Sequence, residues 1–231
     1  MLQKNDILIL LPAYNEATHL RVLCSEIQQL GYQNICIVND GSTDETPSLV
    51  FDKNIIMLHH IINRGVGAAT ATGLKYARIH CYKVVVTIDA DAQHQVADID
   101  VLYQKYLETN ADLIIGSRFL KANNKIPFFR KCYNLIANIF TRIFTNRHIT
   151  DTQSGLKLFA EKALETIQIQ TDGYEFCSEI IIKAFDNKLK IEEVPVSVFY
   201  TEYSMAKGQG ILMGFVTVFN LLANLLVKDK D

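Results

Sequence analysis

The sequence lacks the features of an exported or disulfide-bonded protein. Its 231 residues include five cysteines, an odd number without a C-x-x-C pair, at positions 24, 36, 81, 132 and 177. The N-terminus runs directly into an apolar stretch, without the basic region, hydrophobic region and cleavage site of a secretory signal. We therefore expect a cytoplasmic protein whose cysteines stay reduced.

The sequence also lacks a linker rich in proline, glycine or serine, and it has no internal repeat or low-complexity segment. With 49% hydrophobic residues and a mean hydropathy of +0.10, the chain can bury one continuous core. This composition excludes disordered and collagen-like proteins. We expect one domain over residues 1–207, followed by a C-terminal helix over residues 208–231.

Long hydrophobic runs are missing as well. The uncharged stretch near the C-terminus, residues 211–227, has 17 residues, whereas a membrane-spanning helix needs about 20. Its small and polar residues fall on one stripe of a helix, at Gly214, Thr217, Asn220 and Asn224. The pattern predicts an amphipathic helix that lies on a bilayer or against a partner. Packing on the protein's own core or on a second copy of the chain is an equal alternative.

One segment contains no acidic residue. Residues 113–150 have seven basic residues, at positions 118, 121, 125, 130, 131, 142 and 147, and six aromatic residues, at positions 119, 128, 129, 133, 140 and 144. In a chain of net charge −2, a single basic patch favours a phosphate-bearing ligand or a membrane surface over nucleic acid. We expect residues 118–150 to face an acceptor and the membrane.

Short apolar runs alternate with helical patterns through the first half of the chain. The runs predict strands over residues 7–11, 35–38, 55–58, 84–88 and 113–115, and helices are predicted over residues 16–30, 44–51, 66–81 and 96–109. Further helices over residues 131–146 and 174–187 and a strand over residues 190–198 follow. Such alternation predicts an α/β fold with a mainly parallel central sheet flanked by helices.

Polar clusters follow three of the predicted strands, and the first of these strands ends in the cluster Pro12–Glu16. Asp89 and Asp91 come directly after one strand, and two carboxylates at that position can hold a divalent cation with a diphosphate. Asp40 ends a second strand, where it can bond a base or ribose. The alternative interpretation is a polar turn for the two carboxylates and, for Asp40, helix capping by Ser42 or Thr43.

A glycine-rich run, Asn63–Ala69, opens a predicted helix. Its Gly65-x-Gly67 pattern departs from a dinucleotide fingerprint because the third glycine position is Thr70. We interpret its small residues as admitting a nucleotide to the helix N-terminus. His59 and His60, which precede the run, are interpreted as ordinary residues at the end of a strand.

Six motifs together resemble one family. They are Leu11–Glu16, Val38–Asp44, Asn63–Ala69, Asp89–His94, Gly116–Arg118 and Asp151–Gly155, and they occur in the family's order across residues 5–208. The chain resembles family 2 glycosyltransferases of the GT-A fold, and it is most similar to the branch of dolichyl-phosphate mannose synthase and other polyprenyl-phosphate glycosyltransferases.

The resemblance implies roles for individual residues. It implies that the nucleotide sugar is bound by Pro12, Tyr14, Glu16, Asp40, Asp89 and Lys207, and that Mg²⁺ or Mn²⁺ is bound by Asp89, Asp91 and Gln93. It places the acceptor phosphate at Arg118 and Arg130, and it implies a catalytic set of Asp91, Arg118 and Asp151. Two departures stand out: Asn39 replaces a usual aspartate, and an arginine that relatives carry near Tyr200 is missing.

These implications predict an enzyme that transfers a sugar, with inversion, from a nucleoside diphosphate to a polyprenyl phosphate. It would act as a peripheral protein at the cytosolic membrane face, as a homo-oligomer or with a separate membrane partner. An ionised phosphate needs no general base, so Asp151 would orient the acceptor, or take a proton from a hydroxyl acceptor. Transfer to a glycan hydroxyl is one alternative, and a non-catalytic nucleotide-binding or membrane-scaffold protein is another.

Overall fold

The computed structural model describes residues 2–200, which form a seven-stranded sheet of order β3-β2-β1-β4-β6-β5-β7. The strands are β1 (Ile7–Ala13), β2 (Asn34–Asn39), β3 (Ile55–His59), β4 (Val84–Thr87), β5 (Leu113–Ser117), β6 (Lys157–Ala160) and β7 (Ile191–Pro195). The helices are α1 (Ala17–Gln29), α2 (Val66–Ile79), α3 (Asp98–Thr109), α4 (Phe128–Thr145), α5 (Glu161–Thr166) and α6 (Phe176–Asp186).

Most strand pairs in the sheet are parallel. β1 lies parallel to β2 and β4, β2 to β3, and β5 to β7. β6 is the exception, since it lies antiparallel between β4 and β5. The predicted α/β fold with a mainly parallel central sheet flanked by helices is confirmed. β6 and the short helix α5 were not predicted, because a four-residue strand that includes Lys157 forms no apolar run.

Helices cover both faces of the sheet. On one face, Ile7, Ile9 and Leu11 of β1 belong to a core cluster with the apolar sides of α1 and α3. On the other face, Leu8 and Leu10 belong to a second cluster with α2, α5 and α6. Strands buried on both faces must be apolar at successive positions. This is why β1 reads as a continuous hydrophobic run.

Helix α2 approaches the sheet especially closely. Gly73 faces Leu10 of β1, and a Cβ atom at position 73 would lie 2.1 Å from Leu10 Cδ1. Gly73 and Leu10 are both buried. The absence of a side chain at position 73 therefore sets the distance between α2 and β1.

The predicted helix over residues 44–51 is wrong. The structure has only a short 3-10 turn there, Thr46–Ser48, which includes Pro47. Ser42 does not cap a helix; its hydroxyl accepts a hydrogen bond from the Asn15 amide at 2.9 Å. The Glu16 amide likewise donates to the Thr46 hydroxyl at 2.9 Å. These side chains join the loop after β2 to the loop after β1 instead of starting a helix.

The remaining differences lie in the second half. α4 begins at Phe128, three residues before the predicted start, and β7 ends at Pro195, after which Val198 forms an isolated bridge with His94. The predicted C-terminal helix and Lys207 lie outside the described residues. Within residues 2–200, no helix is both long enough and apolar enough to cross a membrane.

Candidate active site

A cavity of about 770 Å³ opens at the carboxyl ends of the parallel strands. This edge is where open α/β sheets bind ligands, because the loops after the strands converge there. The cavity brings together nine of the predicted site residues: Pro12, Tyr14, Glu16, Asp40, Asp89, Asp91, Gln93, Arg118 and Arg130. Asp151 lies behind its wall as the partner of Arg118.

Asp40 is buried at the end of β2, and its carboxylate accepts three hydrogen bonds from one neighbouring segment. The donors are the amides of Arg64 and Gly65 and the ring of His60, at 3.0, 2.7 and 2.6 Å. The interpretation of His60 as an ordinary residue at the end of a strand is therefore wrong. Sequence patterns do not reveal this contact, because a histidine after a strand has no fixed partner.

Asn39, the departure from the family pattern, also has a structural role. Its side-chain amide lies 3.1 Å from the ring of His59, and its carbonyl accepts a hydrogen bond from the Ser42 amide at 3.1 Å. An aspartate could not donate to the histidine nitrogen. Asn39 and His59 are directly opposite each other in the β2–β3 register, so this pair joins the ends of two strands.

The N-terminus of α2 lines the cavity through Gly65, Val66 and Ala69, but its first amides are bonded within the protein. The amides of Gly67 and Ala68 donate to the backbone carbonyl of Asp172, at 2.8 and 3.2 Å. A Cβ atom at Gly65 would lie 2.3 Å from that same oxygen. The glycines therefore admit the loop around Asp172, which supplies the acceptor that a helix N-terminus requires.

Asp89 and Asp91 follow β4 and line the cavity. Gly155 packs against Asp89, and a Cβ atom at position 155 would lie 2.0 Å from its carboxylate. Gln93 donates to Asp91 from its backbone amide at 3.1 Å and from its side chain at 2.6 Å. The loop thus holds two carboxylates and an amide oxygen within one cavity.

This donor set suits a hard divalent cation. Within residues 2–200 no three His, Cys, Asp or Glu side chains form a metal-binding group, but Mg²⁺ commonly uses one or two carboxylates and completes its coordination with water and substrate phosphates. Burial and the charges of Asp89 and Glu16 raise the pKa of Asp91 to about 7, although Arg130 opposes the shift. A cation at this point would relieve the repulsion between the carboxylates.

Arg118, which lines the same cavity, forms a buried ion pair with Asp151. Arg118 Nε and Nη2 donate to the Asp151 carboxylate at 2.7 and 2.8 Å, and the Arg118 amide adds a third bond at 3.0 Å. Burial alone would lower the pKa of Arg118, but the charge and hydrogen bonds of Asp151 outweigh it and raise that pKa. Two nitrogens of the guanidinium are thus committed within the protein.

Two further elements hold the loop that carries Asp151, and the sequence analysis identified neither of them. Glu193 of β7 accepts hydrogen bonds from the amides of Thr150 and Asp151 at 3.0 and 3.3 Å. Asn138 of α4 donates to the Thr150 carbonyl at 2.8 Å and accepts from the Thr152 amide at 3.1 Å. The Glu193 contact with Thr150 joins segments 43 residues apart and the Asn138 contact crosses from a helix to a loop, so no local pattern marks them.

Arg130 lies in the first turn of α4 and contributes positive charge to the cavity. Its guanidinium lies 5.3 Å from the centre of the Tyr200 ring and 5.8 Å from that of Phe129. Aromatic faces attract cations at such distances. The cavity therefore has acidic groups after β4 and cationic groups at Arg118 and Arg130.

The sequence is similar to that of known proteins. The model of the family "Glycosyl transferase family 2" matches residues 8–168. A Methanococcus voltae protein named UDP-N-acetylglucosamine–dolichyl-phosphate N-acetylglucosaminyltransferase is 36% identical over 246 residues, covering 97% of this chain and 98% of its own. Polyprenol monophosphomannose synthase of Mycolicibacterium smegmatis is 27% identical over 215 residues, covering 88% and 81%.

Solved structures show the same fold. Glucosyl-3-phosphoglycerate synthase of Mycobacterium tuberculosis, in complex with phosphoglyceric acid, matches with a TM-score of 0.74 at 17% identity, over 96% of this chain and 78% of that one. The same enzyme with Mn²⁺, UDP and phosphoglyceric acid matches with a TM-score of 0.72. The predicted GT-A fold is thereby confirmed. Since the family match spans more than half of the chain and one relative is 36% identical over nearly all of it, the protein belongs to glycosyl transferase family 2 and is a glycosyltransferase.

Proposed function

We propose that the enzyme transfers a sugar from a nucleoside diphosphate to a polyprenyl phosphate at the cytosolic face of a membrane, with inversion at the sugar. The observation that carries the proposal is a single cavity lined both by the carboxylates of Asp89 and Asp91 and by the guanidinium groups of Arg118 and Arg130. The name of the Methanococcus voltae relative supports the choice of acceptor, because that protein is named for transfer to dolichyl phosphate.

The donor occupies the side of the cavity formed by the loops after β1, β2 and β4. Pro12, Tyr14, Glu16 and Asp40 bind the nucleoside, and Asp89, Asp91 and Gln93 hold Mg²⁺ or Mn²⁺ against the diphosphate. When bound, the cation would neutralise charge on the departing diphosphate. Lys207, a further candidate for the diphosphate, lies outside the described residues.

The acceptor phosphate occupies the part of the cavity at Arg118 and Arg130. Arg130 and the remaining Nη1 of Arg118 bind it, so that its oxygen faces the sugar from the side opposite the leaving group. Both carboxylate oxygens of Asp151 accept hydrogen bonds from Arg118 and the residue is fully buried. We therefore assign Asp151 to positioning Arg118 and not to taking a proton, which an ionised phosphate does not require.

The outer surface of α4 fits an anionic bilayer. Three apolar side chains of this helix, Phe128, Ile139 and Ile143, are 80%, 53% and 72% exposed. The exposed basic residues Lys131 and Arg142 flank them. Exposed apolar groups bordered by cations are typical of helices that lie in the membrane interface. Since Arg130 of the same helix reaches the cavity, contact through α4 would bring a lipid phosphate to the acceptor side.

A transfer assay with vesicles tests the proposal. Labelled UDP-, GDP- and dTDP-sugars are incubated with polyprenyl phosphate in vesicles, with Mg²⁺, Mn²⁺ or EDTA. We expect at least one donor to label the lipid and EDTA to stop the reaction. Asp91→Ala should abolish transfer without lowering the unfolding temperature, because Asp91 lies on a loop at the cavity and its charge is repelled by Asp89. Asp52→Ala, which removes an exposed carboxylate outside the cavity, is the matched control.

Each part of the proposal has an outcome that contradicts it. Full activity in EDTA, or in Asp91→Ala, would contradict the proposed role of the divalent cation. Label on a soluble glycan instead of the lipid would show that the acceptor is a sugar hydroxyl and not a lipid phosphate. Arg130→Gln should raise the polyprenyl phosphate concentration needed for half-maximal rate far more than that of the nucleotide sugar, and the opposite order would move Arg130 to the donor side.

A further inference from the structure

His60 is fixed at three points around Asp40. Its Nδ1 lies 2.6 Å from Asp40 Oδ1, its Nε2 lies 2.9 Å from the Thr72 hydroxyl on α2, and its backbone amide donates to the Asn39 carbonyl at 2.9 Å. Only 10% of its side chain is exposed. The ring therefore connects the end of β2 to the second turn of α2.

The partners define which ring nitrogen carries hydrogen. A carboxylate that already receives the amides of Arg64 and Gly65 can only accept, so Nδ1 donates to Asp40. The Thr72 hydroxyl can either donate to Nε2 or accept from it. Thr72 thus fixes the orientation of the ring, and the Asp40 carboxylate fixes the hydrogen on Nδ1.

The hydrogen bonds also show which oxygen of the Asp40 carboxylate can still accept a hydrogen bond. Oδ1 receives two donors, His60 and the Arg64 amide, whereas Oδ2 receives the Gly65 amide as its one donor among the described residues. A carboxylate oxygen has two lone pairs, so Oδ2 retains one acceptor position. Asp40 lines the cavity, and this acceptor can take an N–H or O–H group of a ligand.

We propose that His60 is a positioning residue for nucleoside recognition: it fixes the Asp40 carboxylate so that Oδ2 accepts a hydrogen bond from a base N–H or a ribose O–H. The proposal rests on the proposed function, which assigns Asp40 to the nucleoside. The Asp40–His60–Thr72 chain transmits the position of α2 to the carboxylate. Loss of His60 leaves Oδ1 with the Arg64 amide as its remaining donor among the described residues, so the carboxylate is held less firmly and the nucleoside contact weakens, while the diphosphate contacts are untouched.

The test measures binding without an acceptor. Isothermal titration with UDP, GDP, CDP and ADP identifies the nucleoside diphosphate that the full chain binds best, and pyrophosphate serves as a probe of the diphosphate contacts alone. His60→Phe should weaken binding of the best nucleoside diphosphate by about tenfold, which is the range for loss of one hydrogen bond to a charged group. Pyrophosphate binding should stay unchanged. His80→Phe, an exposed histidine after α2, is the matched control.

Two conservative variants separate positioning from general damage. His60→Asn keeps a donor near the place of Nδ1 and should restore most of the affinity. Thr72→Val removes the partner of Nε2 and keeps the ring, so it should weaken binding in the same direction by less. In the transfer reaction these changes should raise KM for the donor and leave kcat unchanged, because His60 does not touch the reacting atoms.

The proposal is overturned if His60→Phe binds the nucleoside diphosphate as tightly as the wild type does. It is also overturned if the variant loses the same factor of affinity for the nucleoside diphosphate and for pyrophosphate. Should His60→Phe fail to fold, Thr72→Val decides, and an unchanged affinity in that variant overturns the proposal. Wild-type protein that binds nucleoside diphosphates with the expected variant pattern, yet labels no lipid, contradicts the proposed acceptor and leaves the role of His60 standing.

Discussion

At the scale of single residues, the Arg118–Asp151 pair contributes both to the stability of the protein and to the candidate active site. Asp151 is fully buried and Arg118 nearly so, which means that both charges have left water. Removing a charge from water is costly, and only the mutual attraction and hydrogen bonds of the pair offset that cost. A change to one member therefore leaves an uncompensated charge in the interior.

We expect Asp151→Asn to lower the free energy of unfolding by about 3–5 kcal/mol, the usual loss when one partner of a buried pair is removed. Urea denaturation measures this value. The double variant Arg118→Met with Asp151→Leu should recover most of it, because neither charge remains. Glu161→Gln, which alters an exposed pair with Lys83, should leave the denaturation midpoint unchanged. A loss below about 1 kcal/mol for Asp151→Asn would show that the pair is solvated.

At the scale of elements, the contact between α2 and β1 reverses the usual effect of a glycine substitution. Alanine in place of glycine in an exposed helix stabilises it by about 1 kcal/mol. At Gly73, however, a Cβ atom would overlap Leu10 of the core, and overpacking costs about 1–3 kcal/mol. The second effect is larger, since neither the helix nor the buried leucine can move without disturbing the sheet.

Gly73→Ala should therefore destabilise the protein, as a lower denaturation midpoint in urea would show. The matched test is the same change in a Leu10→Ala background, where the leucine atoms that the new methyl would meet are gone. There Gly73→Ala should stabilise, giving a favourable coupling energy in the double-mutant cycle. Additive effects of the two substitutions would refute the steric explanation.

Helix α4 exposes several large apolar side chains, which is unusual for a helix that faces only water. Replacing Phe128 and Ile143 by serine should weaken binding to vesicles that contain anionic lipid at least about tenfold, because each removed side chain contributes on the order of 1.5 kcal/mol when it leaves water. Co-sedimentation measures the binding. The control replaces Val22 and Ile79, which are 60% and 67% exposed on α1 and α2. Equal weakening by both pairs would contradict a specific role for α4.

At the scale of the whole molecule, sequence patterns predict the parallel half of the sheet well. β1 to β4 are apolar runs closed by polar motifs, and parallel strands put those motifs at one edge. Consequently, most residues that the resemblance implied do line one cavity. The prediction of a helix over residues 44–51 is wrong. Local sequence suggests Ser42 as a helix cap, but in the structure its hydroxyl accepts a hydrogen bond from another loop.

The rest of the site depends on contacts that no local pattern records. Glu193 contacts Thr150 from a strand 43 residues away, and His60 contacts Asp40 across 20 residues. β6 is likewise defined by its neighbours, since its four residues pair with β4 and β5. Such features follow from tertiary packing, which decides the structure wherever local preferences are weak.

The antiparallel insertion of β6 has a consequence for protein synthesis. β3, β2, β1 and β4 can pair once the chain has left the ribosome as far as Thr87. In the described sheet, however, β5 borders only β6 and β7, so it has no neighbour until β6 emerges. At roughly 5–20 residues per second, the intervening stretch of about 40 residues takes several seconds to translate. During that time the apolar strand β5 and the open edge of β4 are the natural targets for chaperones in the cell.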